Sequence, residues 1–157
     1  MTLSIDFCDD QEIFEIRAAM KAIIRKAIFN TLVYEGFDGN VEVSVTFTDN
    51  EKIKTLNNEY RNKNKETDVL SFPMFESFDE EISSFETIPL GDIVISLERA
   101  KKQAHDFFHS IYHELAFLSI HSTLHLLGYD HEISEEDEKE MFARQEEIMT
   151  QMGLQRG

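Results

Sequence analysis

The sequence predicts an α+β fold in which a small mixed sheet of four strands packs against about five helices, in a single domain over residues 1–157. Strand-like segments come early in the chain, whereas everything after Leu97 has helical periodicity. A length of 157 residues is typical of one domain, and 41% hydrophobic residues suffice for a packed core. Wholesale disorder is therefore excluded.

Four segments have the pattern of β-strands. Apolar and polar side chains alternate over residues 3–7 and, most clearly, over residues 41–47. Residues 68–72 indicate a third strand, which Pro73 ends, and a fourth strand is predicted over residues 91–96. The acidic stretch 76–89 lies between these two strands and is predicted to be a loop.

The remaining segments have helical spacing. Apolar residues recur at intervals of three and four over 12–34, and a second helix capped by Asp49 or Asn50 is expected to reach about residue 60. The helical region after residue 97 breaks at Gly128, which permits a left-handed turn. A last acidic helix is predicted from about Ser134 to residue 152.

Three histidines in one short segment have the spacing of metal ligands. On a helix, His121 and His125 lie four residues apart on one face, and the turn at Gly128 lets the chain return with His131. Three imidazoles and a fourth position left to water are the pattern of catalytic zinc, with the zinc-bound water as a reactant. The alternative is that the three are core or solvent-facing histidines.

Two neighbouring features limit that interpretation. The spacing matches the long zincin protease signature except that Ser122 replaces the glutamate that activates water, and a hydroxyl is no general base near neutral pH. Glu114 lies two helical turns before His121, too far along the axis to replace that glutamate.

Three further histidines lie upstream, at His105, His109 and His113. They are predicted to cap helices, to form hydrogen bonds or to face solvent.

A run of positive charge stands out in this acidic chain. Between residues 52 and 65 there are five cations and one acid, Glu59. A solvated helix face is one interpretation, and a phosphate-binding edge is the other. Arg61 is the best candidate within that edge, because a guanidinium binds phosphate through two parallel hydrogen bonds.

The segment from His121 to His131, HSTLHLLGYDH, resembles the hallmark of the YbeY family of bacterial single-strand-specific endoribonucleases. Supporting matches upstream are Leu56-Asn57 with Tyr60-Arg61, then TDVLSFP at 67–73, then LGDIVI at 90–95. The resemblance covers roughly residues 50–150, in the family's order. Two departures are Ser122, where the family usually has glycine, and Glu66, where it commonly has proline.

The resemblance implies one zinc ion per chain on His121, His125 and His131, and a functionally important basic residue at Arg61. We therefore expect a zinc-dependent endoribonuclease that acts on single-stranded rRNA, in 16S rRNA 3′-end maturation and ribosome quality control. Lys63 and Lys65 would steer the RNA strand towards the site. Asp130 would orient an imidazole, or else stabilise its own turn. The alternatives are a zincin-type metalloprotease and a non-catalytic, ribosome-associated zinc-binding adaptor.

Charge and composition set the remaining expectations. A net charge of −16 argues against sequence-blind coating of nucleic acid and favours recruitment by a basic ribosomal protein or a ribosome-associated GTPase. The single cysteine, Cys8, fits a reducing compartment, so a cytoplasmic protein is expected. No apolar run predicts a membrane span, and no glycine-rich loop predicts a nucleotide cofactor.

Overall fold

A four-stranded mixed sheet is the frame of the molecule. The computed structural model describes residues 1–76, 82–130 and 134–154. The strands lie in the order β1-β2-β4-β3, with β1 and β4 parallel to β2 and with β3 antiparallel to β4. The strands are β1 (Thr2–Asp9), β2 (Asn40–Thr48), β3 (Val69–Pro73) and β4 (Thr87–Ser96). The predicted α+β class with a mixed four-stranded sheet is confirmed, and β3 is an edge strand.

Five α-helices are present in the described parts of the chain, together with a 3-10 turn at Ile82–Ser84. Helix α4 lies at the centre, and most of its side chains are buried because it contacts α1, α3, α5, β3 and β4. Within the ranges that the structure covers, no helix is long and apolar enough to cross a bilayer. The helices are α1 (Ala18–Tyr34), α2 (Asn50–Arg61), α3 (Leu97–Asp106), α4 (Ile111–Leu126) and α5 (Glu135–Gln151).

Local sequence signals set several helix ends as expected. Asp49 caps α2 by accepting a hydrogen bond of 2.9 Å from the backbone N–H of Lys52. Ser134 caps α5 in the same way, with 3.1 Å to the N–H of Asp137. Gly128 has φ +103°, so the predicted left-handed turn after α4 is confirmed.

The predicted first helix begins too early. The periodicity suggested a start at Glu12, but α1 begins at Ala18. The side chain of Gln11 accepts hydrogen bonds from the N–H groups of Ile13 and Phe14, at 3.1 and 2.9 Å. These contacts give the backbone partners outside a helix, which apolar spacing does not reveal.

The chain after residue 97 also differs from the expected continuous helix. It breaks between α3 and α4, where Phe108 has φ +59°. Ser110 caps the new helix with 3.1 Å to the N–H of His113. His105 and His109 therefore do not share one helix with His121, whereas His113 lies on α4 with it.

The predicted acidic loop is partly a strand. Residues 77–81 lie outside the described residues, but Thr87 to Pro89 belong to β4, which was expected to begin only at Gly91. Glu42 pairs with Pro89 and Val43 with Gly91, so Leu90 is an extra residue in a β-bulge. The bulge allows a proline inside the strand, which the sequence pattern had assigned to the loop.

Candidate active-site cleft

A cleft of about 580 Å³ lies between β3, the loop after α2 and the C-terminal part of α4. It brings together every predicted site residue that the structure describes, although these residues are up to 69 positions apart in sequence. The cleft is lined by Asn57, Arg61, Lys63, Lys65, Thr67, Asp68, Val69, Ser71, Pro73, His121, His125, Gly128, Tyr129 and Asp130.

Helix α4 presents two imidazoles on one face of this cleft. The Nε2 atoms of His121 and His125 are 3.1 Å apart, and the ring planes are inclined by 74°. Two imidazole nitrogens that bind one tetrahedral zinc ion at 2.0–2.1 Å would lie about 3.3 Å apart. The pair therefore fits a zinc ion by both donor chemistry and spacing.

The third predicted ligand, His131, lies outside the described residues. The neighbouring residues Gly128 and Asp130 line the cleft. Within residues 1–76, 82–130 and 134–154, no group of three or more His, Cys, Asp or Glu side chains is placed to hold a metal ion.

Gln145 is a site residue that the sequence did not reveal. It belongs to α5, its residue exposure is 4%, and its Oε1 atom lies 3.2 Å from Nδ1 of His121. A signal was available, because Gln145 occupies the buried helical stripe of Met141, Ile148 and Met149. An uncharged polar residue in an apolar stripe requires a polar partner.

The cationic edge of the cleft is formed by part of the predicted charged run. Arg61 is the last residue of α2, and the loop that follows carries Lys63 and Lys65. Buried Asn57 holds this loop, since its Nδ2 donates to the Lys65 carbonyl at 3.0 Å. Lys52 is directed elsewhere and pairs with Asp10 at 3.0 Å. Thus only the second half of the run contributes to the cleft.

The two departures from the family pattern lie outside the cleft lining. Ser122 is fully buried, and its hydroxyl is hydrogen-bonded to that of Ser71 on β3. Glu66 forms an ion pair of 3.5 Å with Arg99 of α3. Neither residue lines the cleft, so Ser122 does not restrict access to the imidazoles.

Two carboxylates near the site also have defined positions. Glu114 is fully buried, and its Oε1 accepts a hydrogen bond of 3.0 Å from Nε2 of Gln103. It does not line the cleft, in agreement with the expectation that it cannot replace the missing glutamate. Asp68 does line the cleft, and its Oδ1 and Oδ2 accept hydrogen bonds from the Val69 N–H and from Gln103.

The upstream histidines are separate from this cleft. His109 and His113 stack at 4.2 Å between ring centroids, and the side chain of His105 is 91% exposed. His105 contacts its neighbour Asp106 at 3.5 Å. A hydrogen-bonding or solvent-facing role agrees with this arrangement.

The α+β fold and a cleft that combines two imidazoles with three cations define a class, a hydrolase-type domain suited to a phosphodiester substrate. A family model described as Endoribonuclease YbeY matches residues 4–153. The chain belongs to the YbeY family. The predicted family and the predicted nuclease activity, in the hydrolase class, are thereby confirmed.

Individual relatives agree with this membership. Endoribonuclease YbeY of Bacillus cereus (strain G9842) is 46% identical over 159 residues, which cover 99% of this chain and 100% of the relative. Endoribonuclease YbeY of Bacillus thuringiensis (strain Al Hakam) has the same identity and coverage. A solution structure of TM1509 from Thermotoga maritima matches with a TM-score of 0.59 and 27% identity, covering 95% of this chain and 91% of that one.

Proposed function

We propose that this chain is a zinc-dependent endoribonuclease that cleaves single-stranded rRNA, in maturation of the 16S rRNA 3′ end and in ribosome quality control. The observation that carries the proposal is the 3.1 Å approach of the two Nε2 atoms of His121 and His125. They line a cleft that is also lined by Arg61, Lys63 and Lys65. An imidazole pair and a phosphate-binding edge together suit metal-assisted cleavage of a phosphodiester.

In this proposal His121, His125 and His131 hold one zinc ion per chain, which supplies Lewis acidity and activates water. Arg61 binds the scissile phosphate, and its planar guanidinium also stabilises the charge that develops there in the transition state. Lys63 and Lys65 guide the RNA strand along the cleft. Asp130, which lines the cleft, orients an imidazole.

The metalloprotease alternative has little support. The position that carries the glutamate of the long zincin signature is Ser122, which is buried and bonded to Ser71. The alternative of a non-catalytic adaptor with a structural zinc site is also disfavoured, because such sites generally use four protein ligands and do not need a cationic cleft beside them.

The ligand assignment is tested by metal content and RNA cleavage together. Purified without chelator, the protein is expected to contain about one zinc per chain, and His125→Ala is expected to lose both the zinc and the cleavage of a single-stranded rRNA fragment. His105→Ala is the matched control, because its side chain is exposed and outside the cleft. Stoichiometric zinc in His125→Ala would refute the assignment, and metal-dependent cleavage of casein without RNA cleavage would refute the function.

The role of Arg61 is tested by charge reversal. Arg61→Glu is expected to lower cleavage by at least about 100-fold, with zinc content and folding unchanged, because the phosphate would meet a carboxylate. Lys54→Glu makes the same change on an exposed residue of α2 that does not line the cleft, and should cleave normally. Equal activity of the two variants would show that Arg61 is not part of the substrate site.

The overall charge supports a protein partner as well as RNA. At −16 the chain repels free RNA at long range, so we infer that a basic ribosomal protein or a ribosome-associated GTPase recruits it in the cytoplasm. The isolated protein should bind naked rRNA weakly at physiological salt, in a filter-binding or anisotropy assay. Strong binding that is insensitive to salt would contradict this inference.

A further inference from the structure

We propose that Gln145 is a positioning residue that sets the tautomer of His121 and so raises the affinity of the cleft for zinc. This inference rests on the proposed function, since it assigns a residue that acts through one of the proposed ligands. Oε1 of Gln145 lies 3.2 Å from Nδ1 of His121, and the amide comes from a different helix, α5.

The chemistry of the contact fixes where the imidazole proton resides. An amide oxygen accepts hydrogen bonds and cannot donate them, so Nδ1 of His121 carries the hydrogen. A neutral imidazole has one N–H, and its other nitrogen, Nε2, then holds the lone pair. This Nε2 is the atom that lies 3.1 Å from Nε2 of His125. The hydrogen bond therefore presents the lone pair on the side where the two imidazoles converge.

Burial makes Gln145 a well-defined partner. The residue exposure is 4%, and the neighbours on its stripe of α5, Met141, Ile148 and Met149, are fully buried. Water has little access to compete for the Nδ1 hydrogen there. A glutamine also stays uncharged at every pH, so the contact does not switch off by protonation.

Helix α5 is itself fixed at this point by the residue next to Gln145. Arg144 forms an ion pair of 2.7 Å with Glu35, whose side chain is 9% exposed, just after the end of α1. The Arg144 guanidinium also lies 4.8 Å from the centre of the Tyr129 ring, which follows α4. These contacts tie α5 to α1 and α4, so Gln145 is held in register with His121.

Two measurements test the inference. In the zinc-free wild-type protein, long-range ¹H–¹⁵N correlation spectra at a pH where the imidazole is neutral are expected to show hydrogen on Nδ1 of His121 and none on Nε2. Zinc affinity is then compared by competition with a chelating dye in Gln145→Leu, which removes the acceptor, and in Gln145→Glu, which keeps an oxygen acceptor. Gln151→Leu is the matched control, because it makes the same change at an exposed residue of α5.

We expect Gln145→Leu to bind zinc about 10- to 100-fold more weakly, Gln145→Glu to regain most of that loss and Gln151→Leu to match the wild type. Hydrogen on Nε2 of His121 in the wild type would overturn the inference even if Gln145→Leu fails to fold. Unchanged zinc affinity in folded Gln145→Leu would also overturn it. Either result leaves the proposed function standing as long as wild-type protein binds zinc and His125→Ala does not, so the two failures are distinguishable.

Discussion

Two buried serines on helix α4 allow the contribution of one hydrogen bond to the free energy of unfolding to be measured by comparison. Ser119 and Ser122 are both fully buried, one turn apart. The Ser122 hydroxyl is bonded to that of Ser71, whereas the Ser119 hydroxyl has no hydrogen-bond partner within the described residues. Replacing either serine by alanine raises helix propensity by the same amount, about 0.5 kcal/mol, so this contribution cancels in the comparison.

The remaining difference is the hydrogen bond. Ser122→Ala loses an interaction that contributes about 1 kcal/mol net, while Ser71 is half-buried and can bond to water instead. Ser119→Ala removes an unpaired buried hydroxyl and so relieves a desolvation cost of about 1 kcal/mol or more. We expect the free energies of unfolding of the two variants to differ by about 2 kcal/mol, with Ser119→Ala the more stable.

Urea unfolding followed by circular dichroism at 25 °C measures this difference directly. The change at Ser122 should also be non-additive with Ser71→Ala, with a coupling energy of about 1 kcal/mol, because the two hydroxyls share one bond. The reasoning is refuted if both alanine variants shift the unfolding midpoint equally, or if the Ser71 and Ser122 changes simply add.

Two further predictions concern the strand beside the cleft and the turn after α4. Gly91→Ala should destabilise the protein by at least about 3 kcal/mol in urea unfolding, because φ is +137° and the new Cβ would lie 2.2 Å from the Phe72 carbonyl oxygen; a loss below about 1 kcal/mol would contradict it. Burial, with the neighbouring Glu35 carboxylate as the second cause, raises the pKa of Tyr129 to about 12, so the folded state holds this proton more tightly than the unfolded state. The resulting contribution to stability is complete below pH 10 and is lost between pH 10 and 12. The loss is about 1 to 2 kcal/mol, because partial exposure of Tyr129 to solvent weakens the effect. Thermal unfolding of the wild type and of Tyr129→Phe over that pH range measures it, and parallel profiles of the two proteins would contradict the prediction.

The features that the sequence predicted correctly are those set by local chemistry. The alternation over β2, the caps at Asp49 and Ser134 and the turn at Gly128 each depend on a few neighbouring residues. The same holds for the spacing of the histidine pair on α4. These features need no knowledge of the rest of the chain.

The features that were missed depend on contacts between distant segments. Gln145 meets His121 only because α5 packs across α4, a contact between residues 24 positions apart. The bulge at Leu90 requires the register of β4 against β2. Gln11 is a local exception, since its side chain accepts hydrogen bonds from backbone N–H groups two and three residues further on and so overrides an apolar periodicity that would otherwise favour a helix.

The charge of the cleft predicts that the proposed zinc ion and the cationic edge act together. Three cations line the cleft, but Asp68 and Asp130 line it too, so its described residues carry a formal charge of only +1. That is a weak attraction in a chain of −16. A bound divalent ion would be the largest single charge there and would act at contact distance, whereas the acidic surface beyond about 10 Å is largely screened by salt. Substrate binding and zinc binding are therefore expected to be coupled, with Arg61, Lys63 and Lys65 sufficient to place a phosphate only once the ion has offset the carboxylates.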